Sequence, residues 1–300
     1  MADVAIVYKN VGDGIENIET ASKSIISTMQ AFGVEAKDAM SIVDSFNAVG
    51  NRFAVSSAGV GEALLNSAAA LAAAGNTIHE SVALIAAANT TIQDPSRVGT
   101  ALKTVSMYMR AAKTEAEEAG ISTEGMADSV SELREEILAL TGREVDIMAN
   151  VETGEYKSTV EVLRELSKVW DKLSDTTRTN ITELIGGGVR NANVISALMK
   201  NFSIVDEAMG VSMDSAGSAL AENEKYLDSI AGRIEKMKAS FEELSTSVID
   251  SGLTKGIISI ADALLQVATI ISDVAFDNFF TGFATLATGG GIAAFIKNLD

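Results

Sequence analysis

The chain has 300 residues, a formal net charge of −18, one proline, one histidine and no cysteine. Without cysteine there is neither a disulfide nor a thiolate site, and the charge argues against a nucleic-acid phosphate footprint, which needs clustered Lys and Arg, and against an anionic membrane surface. A single proline (Pro95) suits long helices, and the turn signals of an all-β fold are missing; the chain reads as all-α, an antiparallel helical bundle followed by a long heptad helix and an apolar C-terminal helical stretch.

In chain order, Met1 to Lys9 is a short apolar run that fits either a buried strand or the tail of a helix, and its Asp3 and lack of a basic start exclude a secretory signal. Gly14 to Phe32 carries Ile15, Ile18, Ala21, Ile25, Ile26, Met29 and Phe32 at helical spacing, with Gly33 as its stop. Glu35 to Phe53 repeats the pattern. Ser57 to Gly75 is an alanine-rich helix, and runs such as Ala68 to Leu71 let helix backbones approach closely. Thr77-Ile78-His79-Glu80 is a capping box that opens a fourth helix to about Asn89. Asp94-Pro95 supplies an N-cap and an N1 proline for a fifth, to about Ala112.

Thr114 to Asp128, with Glu115, Glu117 and Glu118, reads as a solvated linker or loop. Ser131 to Leu140 is a short helix ending at Gly142, and Val145 to Met148 a brief extended piece. A second capping box, Ser158 to Glu161, opens a helix through Trp170 to Leu173; Thr177 to Ile185 is another, stopped by Gly186-Gly187-Gly188. Ala192 to Phe202 follows, and Val205 to Met213 is one further turn or two. The expected organisation is a multi-helix bundle over residues 1–113, an acidic linker over 114–130, a second short-helix region over 131–214, the heptad helix over 215–250 and the apolar stretch over 256–300.

The heptad run dominates the last third. Leu220, Leu227, Ile234, Phe241 and Val248 fall at a positions, and Asn223, Ile230, Met237 and Leu244 at d positions, an unbroken 3–4 spacing that keeps one seam on one side of a helix. A helix from about Ala216 to Asp250 would be roughly 50 Å long. The flanking e and g positions are mostly small or neutral, and Arg233 faces Lys238. That favours a bundle within the chain, or more than two helices, over a two-stranded coil. Both an inter-chain seam and the packed face of a long bundle helix remain open. Beyond it, nineteen residues between Asp277 and Lys297 carry no charge but include Gly289-Gly290-Gly291 and three threonines, so a buried hairpin competes with membrane contact. The unsupported start and the lack of a terminal signal are expected of a segment of a longer protein.

The catalytic inventory is thin. His79 is the one possible base for a Ser-His-Asp triad and lies at a helix start, where a surface polar residue is expected. Glu115, Glu117 and Glu118 have no histidine with which to hold a metal. Gly186 to Gly188 lacks the P-loop pattern and a preceding strand, so it reads as a helix break. Trp170 reads as a core residue, and Arg97, Arg110 and Lys113 are too sparse for a nucleic-acid patch. No enzyme and no cofactor are expected.

Long phrases carry a resemblance. AMSIVDSFNAVGNRFAVSSAGVGEAL, ESVALIAAANTTIQDPSRVGTALKTVSMYMRAAKTE, SELREEILALTG, VDIMANVETGEYKSTVEVLRELSKVWDKLSD, ELIGGGVRNANVISALMKNF and GSALAENEKYLDSIAGRIEKMKASFEELS are, in this order over residues 5–275, similar to the phage tail tape measure protein family. Gly188-Val189-Arg190 departs from the basic residue the family more often has after its glycine pair. The resemblance implies a helical structural protein, several copies of which occupy the lumen of the growing tail while tube subunits polymerise around them. It implies as partners other copies of the chain, the tail tube protein, tail assembly chaperones, baseplate or tail-tip proteins and, through apolar segments after ejection, the host membrane. A membrane-active helical protein and a cell-wall hydrolase module are the competing classes.

Overall fold

The structure is a computed structural model in which residues 2–229, apart from 13, 16 and 188, are described. The chain divides into two compact units, residues 1–223 and 224–300. The described part of the second unit is residues 224–229.

The described residues are mostly helical, with almost no strand. The N-terminal run is a helix, α1 (Ala2–Val11), which settles the choice between strand and helix. It is followed by α2 (Ile18–Phe32), α3 (Met40–Gly50), α4 (Ser57–Ala73), α5 (Ile78–Ile92) and α6 (Pro95–Tyr108). Then come α7 (Lys113–Glu118), α8 (Val130–Leu140), a short antiparallel hairpin of β1 (Met148–Asn150) and β2 (Glu155–Tyr156), α9 (Thr159–Val169), α10 (Asp175–Gly186), α11 (Val189–Lys200), α12 (Phe202–Met213) and α13 (Ser218–Asp228).

Local chemistry sets most of these boundaries. Thr77 accepts from the Glu80 N–H while the Glu80 carboxylate accepts from the Thr77 N–H, and Ser158 and Glu161 repeat the exchange at the start of α9. Asp94 accepts from the Arg97 N–H with Pro95 at the first helical position. Gly33 and Gly187 end α2 and α10 in the left-handed conformation, where a side chain is disfavoured.

Some elements differ from the sequence expectation. Glu35 to Phe53 is not one helix: a 3-10 turn at Ala36–Asp38 precedes α3, and no side chain caps either start. The segment expected as a linker holds α7 and a satellite core of Tyr108, Ala116 and Met126, with the Tyr108 hydroxyl donating to the Ser122 and Glu124 carbonyls. The extended piece near Met148 acquires a partner strand. The segment given one or two turns at Val205 is a twelve-residue helix, α12, with Phe202, Val205, Ala208 and Ser212 on its inner face.

One apolar core runs from Ala5 to Ala219. At its centre is α5, in which every residue from Ser81 to Asn89 is buried. Apolar or small residues surround this helix, so it has no face to give to water. It packs against α3, α4, α6, α9, α11 and α12. The most extensive helix pair is α4 with α6, where Gly99 lies so close to Ala63 that a methyl group on it would meet the Ala63 carbonyl oxygen at 2.3 Å. Among the described residues no helix is long and apolar enough to cross a membrane, and the apolar stretch 256–300 lies outside them.

Candidate functional site

Five buried polar residues, Asp44, Ser45, Asn47, Ser212 and Ser215, lie near the start of α13. Gly217, with φ +81°, turns the chain between α12 and α13, and so the helix begins at Ser218 rather than near Ala216. Gly217 is the N-cap residue, since its carbonyl accepts the first helical bond, from Ala221. It has no side chain to satisfy the free N–H groups of the first turn. Asp44 of α3 supplies the missing cap from another helix. Its Oδ1 accepts from the Ala219 N–H at 2.8 Å and its Oδ2 from the Gly217 N–H at 3.0 Å. One carboxylate thus satisfies both the N-cap and the N2 N–H, with its negative charge at the positive end of the helix dipole.

Four further contacts surround this cap. Asn47 Nδ2 donates to Ser218 Oγ at 2.8 Å, and Asn10 Nδ2 of α1 donates to Asn223 Oδ1 at 2.8 Å. On the α12 side, Ser212 Oγ lies 2.5 Å from Ser45 Oγ and 2.7 Å from His79 Nδ1. His79 is therefore half-buried and bonded across to α12, not the free surface residue expected of a helix start. Burial pushes its pKa below the usual histidine range, which favours the neutral imidazole at pH 7. A serine hydroxyl on a histidine nitrogen has the form of a nucleophile and its base. Ser212, however, is 0% exposed, so no substrate carbonyl reaches its oxygen. The Ser45–Ser212–His79 chain instead ties α3, α5 and α12 together.

The seam positions fall unevenly on this site. Leu220 is 46% exposed, whereas its neighbour Ala219 is fully buried, so the bundle holds α13 by a face rotated about 100° from the a position. Asn223 is paired with Asn10, as above. Leu227 is half-buried. Ile230, Ile234, Met237, Phe241, Leu244 and Val248 lie outside the described residues.

The other sequence candidates have structural surroundings. Trp170 is buried at the end of α9, with the Arg178 guanidinium 6.0 Å from its ring centre and the Arg178 Nε donating to its carbonyl. Gly187 lies against the Tyr108 ring, which leaves no room for a side chain. Arg110 donates through Nη2 to the Ala74 and Lys157 carbonyls, both at 2.7 Å, and stacks 4.9 Å from the Tyr156 ring centre; it pins the end of α4 to the hairpin. Among the described residues no cluster of acidic and histidine side chains has the arrangement of a metal site.

Sequence reasoning passed over Asp44, Ser45 and Asn47. Their one signal is three polar residues inside the apolar run SIVDSFNAV, on faces that helical spacing would bury. Their partners are more than 165 residues away, beyond the reach of any local pattern.

The family model for phage-related minor tail proteins matches residues 7–187, more than half of the chain. No solved structure matches it. The matched region takes in α2 to α10 whole, including the buried α5 and the Asp44 cap residue, while α11 and α12, which also contribute to the core, lie beyond it. The chain belongs to the phage-related minor tail protein family, a structural component of the phage tail.

Proposed function

We propose that the chain is a segment of a tail tape measure protein, which sets tail length while the tube assembles and leaves the tail lumen at infection to aid genome delivery. The observation that carries this reading is the order of parts along the chain: a capped helical module of the minor tail family, then the sequence run with heptad spacing that begins at Leu220. On this reading the module over residues 1–214 is a folded terminal piece that docks at the tail tip or packs in the tube, and the ruler proper lies elsewhere. Its role is structural rather than catalytic. Its partners are other copies of itself, the tail tube protein, tail assembly chaperones and baseplate or tail-tip proteins. The apolar residues 256–300 are the part that would touch the host membrane.

The seam is tested by the molar mass of the full chain in solution. Light scattering is expected to give a trimer or larger assembly that an Ile234→Asp, Phe241→Asp double substitution reduces to monomer with little loss of helicity. A wild-type monomer at every concentration would remove the inter-chain seam. The tail role is tested separately, by deleting the coding region for residues 7–187 from the phage that carries it. Loss of normal tails by electron microscopy supports the reading, and tails of unchanged length and number would end it.

A further inference from the structure

The contacts at the start of α13 differ in kind from those that hold the rest of the module. Up to Ser212, α12 is anchored by apolar burial: Phe202, Val205 and Ala208 are in the core. Beyond the Gly217 turn, the first two turns of α13 bury one apolar side chain, Ala219, and leave Leu220 46% exposed. What holds them is polar: Asp44 on two N–H groups, Asn47 on Ser218, and Asn10 on Asn223. Apolar burial is lost outright when a helix lifts away, whereas hydrogen bonds are exchanged for bonds to water. Asp44 is 6% exposed, so its charge regains hydration on opening. Asn47 Oδ1 is buried with no donor among the described residues, a cost that opening also removes.

From this we infer that residues 217–223 form a releasable latch, capped by Asp44 and hinged at Gly217, which opens while the core around α5 stays folded. Glycine at φ +81° suits a hinge, since it moves between left- and right-handed conformations without a Cβ clash. The Ser45–Ser212–His79 chain marks the fixed side of the hinge and Asp44 the releasable side. The inference needs only this geometry and stands whether or not the chain is a tape measure segment.

The test is amide hydrogen exchange of the full chain, read by mass spectrometry on peptides from α5 and from residues 217–223. In the wild type the latch amides are expected to exchange at least about 100-fold faster than those of α5, as sub-global opening requires. Asp44→Asn keeps an acceptor but loses the charge and one bond. It is expected to speed latch exchange about tenfold and to leave α5 unchanged. Asn47→Ala serves as an independent release of the same segment. If the wild-type latch and α5 exchange together, with the same response to denaturant, the latch does not open on its own and the inference fails. It fails equally if both substitutions accelerate α5 as much as the latch.

Discussion

At Gly99 two opposed effects, close packing and helix propensity, act on the same position. A methyl group there would sit 2.3 Å from the Ala63 carbonyl oxygen, 2.8 Å from its Cα and 2.9 Å from its carbonyl carbon. Ordinary contacts begin near 3.5 Å. The obstacle is backbone, so no rotamer change relieves it, and α4 and α6 must move apart locally by about 1 Å. Such a gap forfeits between a quarter and a half of the dispersion energy of the atoms that face it. Val98, Ala101 and Leu102 on α6, and Val60 and Leu64 on α4, are all 0% exposed and flank the crossing. Overpacking of this kind costs about 1–3 kcal/mol, and the better helix propensity of alanine returns at most about 1 kcal/mol. Gly99→Ala should therefore lose roughly 1–2 kcal/mol, and Gly99→Val more. Gly210, in α12, is the control: nothing lies within 4 Å of the methyl position, it is exposed, and its φ is not in the left-handed region. Gly210→Ala should gain about 0.5–1 kcal/mol. Urea denaturation followed by far-UV circular dichroism measures both, with a shift in midpoint at unchanged slope as the mark of a stability change. A Gly99→Ala midpoint at or above that of the wild type would refute the close-packed α4–α6 crossing.

Two further outcomes follow from the local chemistry. His79 is driven to a lower pKa by burial, so the unfolded chain takes up its proton first as pH falls through about 6.5; its contribution to stability is complete above that pH and declines below it. Denaturation midpoints at pH 7.5 and 5.5 should fall further apart in the wild type than in His79→Gln, and equal differences would show that the histidine is not linked to folding. At the capping boxes, Thr77→Ala and Ser158→Ala should each cost about 1 kcal/mol, while Thr77→Ser should be close to neutral, because the loss is that of one oxygen that satisfies an otherwise free N–H.

The sequence by itself determined the fold class and several helix ends. The Thr77–Glu80 and Ser158–Glu161 boxes, the Asp94–Pro95 start and the stops at Gly33 and Gly187 are exchanges between groups within about four residues of one another, so they can be read without knowing what surrounds them. Trp170 was legible as core from its place on an apolar face. The phrases shared with tail proteins were legible as well, as strings, though not what they build. Only the tertiary structure decided which helix has no solvent face: α5 is not the most apolar-looking stretch in the chain, and its place at the centre depends on the six helices that pack round it. The hairpin partner of β1 escaped notice because a two-residue strand has no periodicity to detect. The site at the base of α13 was beyond the sequence for the same physical reason throughout. A helix start without its own capping side chain looks incomplete, and the group that completes it, Asp44, lies 175 residues earlier, brought into reach only when α3 and α12 pack against the same buried helix.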